Sequence, residues 1–180
     1  MSCDLANGRL EPCKDVVGGL DAVYFVNFGD YSGITYDNAS PDIIDSVAGV
    51  TNLYKFELKG TNSFTQVVNS SRENGTTFVE QTLSIQLKKQ DAGTHKNVKL
   101  LAYGRPHIVV RNRNNQFFFA GLTYGMEITT ANIDSGTAMA DFNGYTLTFV
   151  GTEKIPANFI DVASESALAT AFGAANIVTV

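Results

Sequence analysis

The sequence predicts a mainly β protein, an antiparallel β-sandwich or barrel of six to eight strands with one packed α-helix. Sixteen glycines, seven tyrosines and twelve phenylalanines, with only 17% charged residues, are typical of strands and turns. Short apolar or alternating segments recur between turn signals. The 180 residues, 44% of them hydrophobic, suffice for one core. We therefore expect a single domain over 1–180, with an amino-terminal arm (1–20) and a carboxyl-terminal extension (156–180).

The first half of the chain begins with segments of different burial. Residues 22–28 (AVYFVNF) are almost continuously apolar, which predicts a buried strand. Residues 29–50 mix turn formers with a short apolar patch and predict a loop with one weak strand or turn of helix. Alternation from Asn52 predicts a half-buried strand. Its core-facing side chains are Tyr54, Phe56 and Leu58, and its opposite face carries Lys55, Glu57 and Lys59.

The clearest alternation in the chain covers residues 76–89. A strand of about 13 residues spans roughly 43 Å, more than twice the usual strand length. With the alternating stretch 64–68 before it, the pattern predicts a long β-hairpin that overshoots a small domain. We expect the ribbon from Asn52 to Lys89 to complete its hydrogen bonding with other copies of the chain. The face expected to meet the core is Val79, Leu83, Ile85 and Leu87, and the opposite face is Glu80, Thr82, Ser84, Gln86 and Lys88.

The second half contains the predicted helix. Asp91 is a suitable N-cap for a helix over 92–103, which Gly104 and Pro106 end. A hairpin (107–111 and 116–122) and two further strands (125–131 and 144–151) follow. An Ala-rich stretch, 164–175, predicts a short helix capped by Ser164 or Ser166, and residues 177–180 predict a last strand.

Charge is unevenly distributed along the chain. The formal net charge of -5 and the acidic pI disfavour tight nucleic-acid binding by phosphate neutralisation. Residues 51–113 nevertheless carry 10 basic and 4 acidic side chains, and both flanking segments are acidic. One interpretation is a subunit with unlike faces that associates head to tail with copies of itself. The alternative is chance clustering of solvated charges.

The sequence lacks the common catalytic and phosphate-binding motifs. We therefore predict no enzyme, no metal site and no cofactor. His95 and His107 are interpreted as structural, with a catalytic role as the lesser alternative. A calcium site at Asp134 and Asp141 is a minor alternative, because the spacing lacks the dense acidic pattern of an EF-hand loop.

Three further features bear on the environment of the chain. Cys3 and Cys13 are interpreted as reduced thiols, with a disulfide as the alternative. The amino terminus lacks a recognisable secretory signal and no apolar run is long enough to span a membrane, so we expect neither signal-peptide secretion nor a membrane partner. Arginines near residues 117–119 (FFF) permit base stacking, but a core role for these aromatics is the favoured interpretation.

The order of long hairpin, helix and further antiparallel strands is similar to that of tail tube proteins of long-tailed bacteriophages and related tube and ring proteins of contractile injection systems. Two stretches, CDLANGRLEPCKDVVGGLDAVYFVNF (3–28) and SGTAMADFNGYTLTFVGTEKIPANF (135–159), also resemble virion proteins of phages that infect Bacteroidota, including the crAss-like group. The similarity of topology covers roughly 20–151. It carries over no catalytic residue.

The resemblance implies a structural virion protein. Its copies would form a ring, commonly a hexamer, and the rings would stack into a channel for transient DNA passage and contact other tail proteins. Four strands from each of six copies would give a barrel of about 24 strands with an aqueous bore. Its polar lining is predicted to come from both polar strand faces given above. The alternatives are another virion or surface β-sandwich (a head decoration, fibre or adhesion domain) and, less favoured, an enzyme or cofactor carrier.

Overall fold

The computed structural model describes residues 7–179. Cys3 of the predicted arm and Val180 of the predicted last strand lie outside the described residues. The first six strands are β1 (Leu20–Val26), β2 (Gly33–Tyr36), β3 (Ile43–Ala48), β4 (Asn52–Glu57), β5 (Ser63–Ser71) and β6 (Thr76–Lys88). The next six are β7 (His107–Asn112), β8 (Phe117–Ala120), β9 (Glu127–Asp134), β10 (Gly144–Glu153), β11 (Asn158–Ile160) and β12 (Asn176–Val178). The helices are α1 (Ala92–Tyr103) and α2 (Glu165–Ala171).

The twelve strands of the described residues, more than the six to eight predicted, form two open sheets. This confirms the predicted mainly β sandwich and rules out the alternative of a closed barrel within one chain. The large sheet has the order β12-β4-β1-β7-β8-β11-β3-β2. The small sheet has the order β5-β6-β10-β9 and is antiparallel throughout. Two short pairs of the large sheet, β11 with β3 and β12 with β4, are parallel.

The main core lies between the two sheets and is closed on one flank by α1. Alternating residues of β6 and β10 face the large sheet, because successive strand residues point to opposite faces. The predicted core residues Leu58, Val79, Leu83, Ile85 and Leu87 are buried in this core, and Tyr54 and Phe56 pack against it half-buried. Leu83 lies opposite Phe149 of β10, and both are fully buried.

A second core covers the far face of the large sheet. Strands β1 and β7 are buried on both faces, which explains their nearly continuous apolar sequences. Leu168 and Phe172 bring the α2 segment into this far core, where both side chains are fully buried. The carboxyl-terminal extension therefore forms part of the packed domain.

Helix α1 begins and ends where the sequence predicts. The Asp91 carboxylate accepts a hydrogen bond from the Thr94 N–H at 2.8 Å, which satisfies a free donor of the first turn. The Gly104 N–H donates to the carbonyls of the last turn. Val98 is buried in the main core, so the helix closes the flank of the sandwich beside β9.

The strand β4 corrects one expectation about the long hairpin. The sequence suggests one continuous ribbon from Asn52 to Lys89, but only β5 and β6 form that hairpin, and β4 pairs with β1 in the large sheet. The chain leaves β4 through Gly60, whose φ of +100° suits glycine. Alternation identifies a strand without identifying its partner, so the sequence could not show that β4 belongs to a different sheet from β5 and β6.

Candidate assembly surface

The outer face of the small sheet carries mainly neutral polar side chains. On β6 the burial alternates from Val79 to Lys88, with odd-numbered residues buried and even-numbered ones exposed or half-buried. Residues directly opposite one another in neighbouring strands share a face. The registers therefore place on this outer face Ser63, Thr65 and Val67 of β5, Glu80, Thr82, Ser84, Gln86 and Lys88 of β6, Thr146, Thr148, Val150 and Thr152 of β10, and Thr130 and Asn132 of β9.

Four charged side chains of the described chain lie on this face, three of them at strand ends and Glu80 opposite Val67 at the middle of β5. Lys88 and Asp134 lie at the last residues of β6 and β9, Glu127 opens β9, and Glu80 lies opposite Thr152 near the end of β10. Between them the surface consists mainly of hydroxyl and amide groups. None of these outer-face residues belongs to either apolar core of the described chain.

Both edges of the small sheet are long. Strand β5 has nine residues and β9 has eight, and no strand of the described residues pairs with either outer edge. Strand β5 contains neither a charged residue nor proline, the usual protections of a free edge. Its Val68 is 60% exposed, and Ile133 of β9 is 48% exposed. An uncharged free edge of this length is a template for pairing with another chain.

Two hydrogen bonds donated by backbone amides of β6 and of the residue after it indicate which amides of β5 point outward. The Gln86 N–H donates to the Asn62 side chain, and the Lys89 N–H donates to the Asn143 carbonyl on the β10 side. Even-numbered β6 residues therefore direct their amides toward β5, and odd-numbered ones toward β10. Val67 lies opposite Glu80, so its N–H faces β6. The N–H of Val68 consequently points out of the sheet.

Two glutamines on the inner face tie the small sheet to the large one. Buried Gln81 accepts a hydrogen bond from the Gly121 N–H at 2.8 Å. Gln66, opposite it on β5, accepts one from the Ala157 N–H at 2.7 Å. Sequence reasoning gave these side chains no role, although a glutamine among inward-facing apolar residues was the available signal.

The structure places Lys55, Glu57 and Lys59 apart from the outer face, which corrects the expected common lining. They belong to β4 and the turn after it in the large sheet, whereas the other predicted lining residues belong to β6. The Lys55 side chain is only 13% exposed. Its ammonium group lies 2.7 Å from the Glu165 carboxylate of α2 and 3.4 Å from Glu57. Lys55 therefore anchors α2 to the large sheet.

This anchor is an ionic cluster beside a buried phenol. Arg111 lies 3.3 Å from Asp21 and 3.9 Å from Glu165. The hydrogen bond with Glu165 raises the pKa of Lys55, because it favours the charged ammonium form. Burial raises the pKa of Tyr24 to about 12. The cluster explains why cationic side chains occur on a face that also holds an apolar core.

The remaining residues singled out from the sequence have structural contacts. His107 is buried, with Nδ1 beside the Gly121 carbonyl and Nε2 accepting from the Gly29 N–H, whereas His95 is exposed. Asp134 and Asp141 accept hydrogen bonds from backbone amides of their own loop, and these donors hold the pKa of Asp141 below its usual range. Within residues 7–179 no group of three or more potential metal ligands comes together.

The structure also shows the surroundings of two arginines, two of the phenylalanines at 117–119 and one cysteine singled out from the sequence. The Arg105 guanidinium lies 3.9 Å over the Phe28 ring, and Arg113 donates to two backbone carbonyls. Phe117 and Phe119 are buried in the far core. Cys13 is exposed.

Comparison with protein-family models, curated proteins and solved structures finds no match to this chain. None of the helices in the described range has the length and apolar character that a membrane crossing requires.

Proposed function

We propose that the protein is a non-enzymatic structural subunit of a phage tail tube or tail ring, assembled in the host cytoplasm and located in the virion. The observation that carries the proposal is the small sheet, which combines an uncovered neutral polar face with two long unpaired edges. One free edge would invite uncontrolled pairing. Two opposite free edges on one sheet permit closure into a ring, which removes both.

Strand direction favours such closure. Neighbouring strands of the small sheet alternate in direction, so β5 and β9 run opposite ways. When β9 of one copy meets β5 of the next, the new pair is therefore antiparallel like all the others. Six copies would form a barrel of about 24 strands, roughly 40 Å or more across between opposite backbones.

The outer face then becomes the lining of the bore. Its hydroxyl and amide groups hydrate well and carry little charge, which suits DNA that must pass without being held. Glu80, Thr82, Ser84, Gln86 and Lys88 would line this bore, while Lys55, Glu57 and Lys59 are removed from the proposed lining. Other tail proteins would contact the ring ends, where rings also stack.

Proline substitution on β5 tests the proposal. Val68→Pro removes an outward N–H and leaves the pairing with β6 intact, so we expect a folded monomer that no longer forms rings in negative-stain images. Val67→Pro is the matched control, because the N–H that it removes faces β6 inside the same chain. This substitution should lower the free energy of unfolding by about 2–3 kcal/mol, whereas Val68→Pro should not.

Two outcomes would contradict the proposal. Wild-type protein that stays monomeric at high concentration in several salts would leave the free edges without the proposed partner. Rings that form equally well with Val68→Pro would exclude β5 as the seam. Monomers with affinity for a capsid or glycan would favour a head decoration, fibre or adhesion domain instead.

A further inference from the structure

The large sheet extends past the small one on the β5 side. The Phe118 ring of β8 lies 6.4 Å from Phe64 of β5, and the Phe159 ring of β11 lies 4.6 Å from Phe118 on the side away from β5. Strand β3 follows β11 in the order, and the edge strand β5 contacts this end of the large sheet just before β11, where the Ala157 N–H donates to Gln66. We call β11 and β3 the overhang. Phe159, although aromatic, is 45% exposed there.

The face of the overhang that turns toward the small sheet also carries acidic side chains. Ile44 and Ile160 belong to the far core, so alternation turns their neighbours the other way. Those neighbours include exposed Asp45 of β3 and Asp161 just after β11, which we call the aspartate pair. No ion pair within residues 7–179 involves either of them.

The opposite flank of the molecule carries basic and apolar groups. With buried Val98 on one side of α1, the exposed stripe on the other side recurs at helical spacing and consists of Lys96, Lys99, Leu100 and Tyr103. Lys96 and Lys99, the lysine pair, make no ion pair with a described residue. Beside the helix, the inward-facing Ile133 of β9 is 48% exposed.

We propose that α1 and β9 of one copy dock beneath the overhang of a second copy. This inference rests on the proposed ring, in which the neighbour's β9 lies one strand spacing, about 4.8 Å, beyond β5 and therefore under the overhang. Ile133 of the incoming copy covers Phe159. The lysine pair faces the aspartate pair, so opposite charges and apolar groups match across the same contact.

The docking gives the ring a second layer. The inner layer is the closed barrel, and the outer layer joins each large sheet to the neighbouring α1. The contact is heterologous, since the two surfaces differ and lie on opposite flanks, and it therefore repeats around a ring. In this arrangement both the charge match between the lysine and aspartate pairs and the backbone pairing of β9 with β5 hold neighbouring copies together.

A charge swap tests the contact. Replacing the lysine pair by glutamate (K96E/K99E) or the aspartate pair by lysine (D45K/D161K) should raise the concentration for half-maximal ring formation by about tenfold or more, because like charges then meet. All four substitutions together should restore it to within about threefold. The control R9E/K14E alters exposed residues of the arm and changes the net charge by the same amount as K96E/K99E. It should shift the concentration for half-maximal ring formation by less than about twofold.

The outcomes separate this inference from the ring itself. Restoration by the combined swap supports the docking. If the wild type forms rings and the combined swap restores nothing, the docking is overturned and the proposed function stands. If the wild type forms no rings, both are overturned. Circular dichroism of each variant establishes that it is folded.

Disulfide trapping supplies a second measurement in a variant with Cys3 and Cys13 replaced by serine. Copies carrying Ile133→Cys are mixed with copies carrying Phe159→Cys and oxidised, and a covalent dimer is expected only in the mixture. Val178→Cys, which is 37% exposed at the other end of the large sheet, replaces Phe159→Cys as the control. Equal cross-linking with the control would overturn the docking.

Discussion

The two sheets differ in how much of their surface the chain itself covers. The large sheet is packed on both faces along its central strands β1 and β7 and ends in short strands, β2 with four residues and β12 with three. The small sheet is packed on one face and ends in strands of nine and eight residues. Short edges present few free amides, whereas long ones present many. The large sheet therefore has the better covered centre, and the small sheet has the longer free edges.

The comparison also separates two uses of polar side chains. On the inner side of the small sheet, Gln66 and Gln81 are fixed by backbone donors of the other layer. On its outer side, Thr and Ser residues face water without such partners within the described chain. A buried polar group must be hydrogen-bonded, whereas an exposed one carries little cost. Substitutions on the two sides should differ accordingly.

The largest expected effect comes from adjacent residues of β10 that face opposite ways. Phe149→Ala should lower the free energy of unfolding by about 3–5 kcal/mol, since it opens a cavity between the sheets. Thr148→Ala, on the outer face, should change it by less than about 0.5 kcal/mol. Urea denaturation measures both. Similar losses for the two would contradict the assignment of faces.

The next effect concerns the far face of the large sheet. Glu165→Gln removes the partner of Lys55 and should cost about 1–2 kcal/mol, because the Lys55 side chain is only 13% exposed. Glu57→Gln is the control, and its 68% exposed side chain predicts a change below about 0.5 kcal/mol. Equal losses in urea denaturation would argue against an anchoring role for Glu165.

A smaller effect is expected at acidic pH from His107. Burial lowers the pKa of His107, so the unfolded chain binds this proton before the folded one does. The free energy of unfolding should therefore fall as pH drops below about 6.5, until the folded pKa is reached. His107→Gln should lose this part of the pH dependence, and exposed His95→Gln should keep it. Identical pH profiles for all three proteins would exclude the effect.

The smallest effect on stability is expected on the outer face. Ser84→Lys should change the free energy of unfolding by less than about 0.5 kcal/mol, since the side chain extends into water. Its effect on a ring would be larger, because each copy adds a cation to the proposed lining. The proposed lining also carries Lys88 against Glu80, Glu127 and Asp134, so Ser84→Lys must be combined with Glu80→Lys to make it net positive. Rings of this double variant should retain DNA fragments at low salt and release them as salt rises, whereas wild-type rings retain none. Gel shifts with assembled rings measure this difference, and retention by both would contradict a lining that lets DNA pass.

Local patterns were sufficient for several elements. The alternation of β6 and the cap of α1 depend on neighbouring residues, so the sequence predicted both with nearly correct bounds. The segment 29–50 was expected to be mostly loop, yet it forms β2 and β3. Ile44 and Val47 of β3 are buried by contacts with the far core, which no local pattern contains. The three-residue β11 was missed for the same reason.

Only part of the candidate assembly surface could be predicted from the sequence. The outward residues of β6 follow from alternation alone. The partners of β6 do not, and the sequence prediction therefore added the polar face of β4 to the lining, whereas β4 pairs with β1 and β6 pairs with β5 and β10. Lys55 was misplaced because its partner Glu165 lies 110 residues away in sequence. Long-range pairing determines both, and it is visible only in the folded chain.

The alternating directions of the small sheet have a consequence for the number of subunits. Because the sheet contributes an even number of strands, every seam of the proposed ring is antiparallel whatever the number of copies, so rings of five, six or seven would satisfy hydrogen bonding equally. Backbone pairing thus leaves the stoichiometry undetermined. In the proposed ring the angle between consecutive copies would then depend on the contacts that α1 and the large sheet make outside the barrel, so substitutions far from the bore should be the ones that alter its diameter.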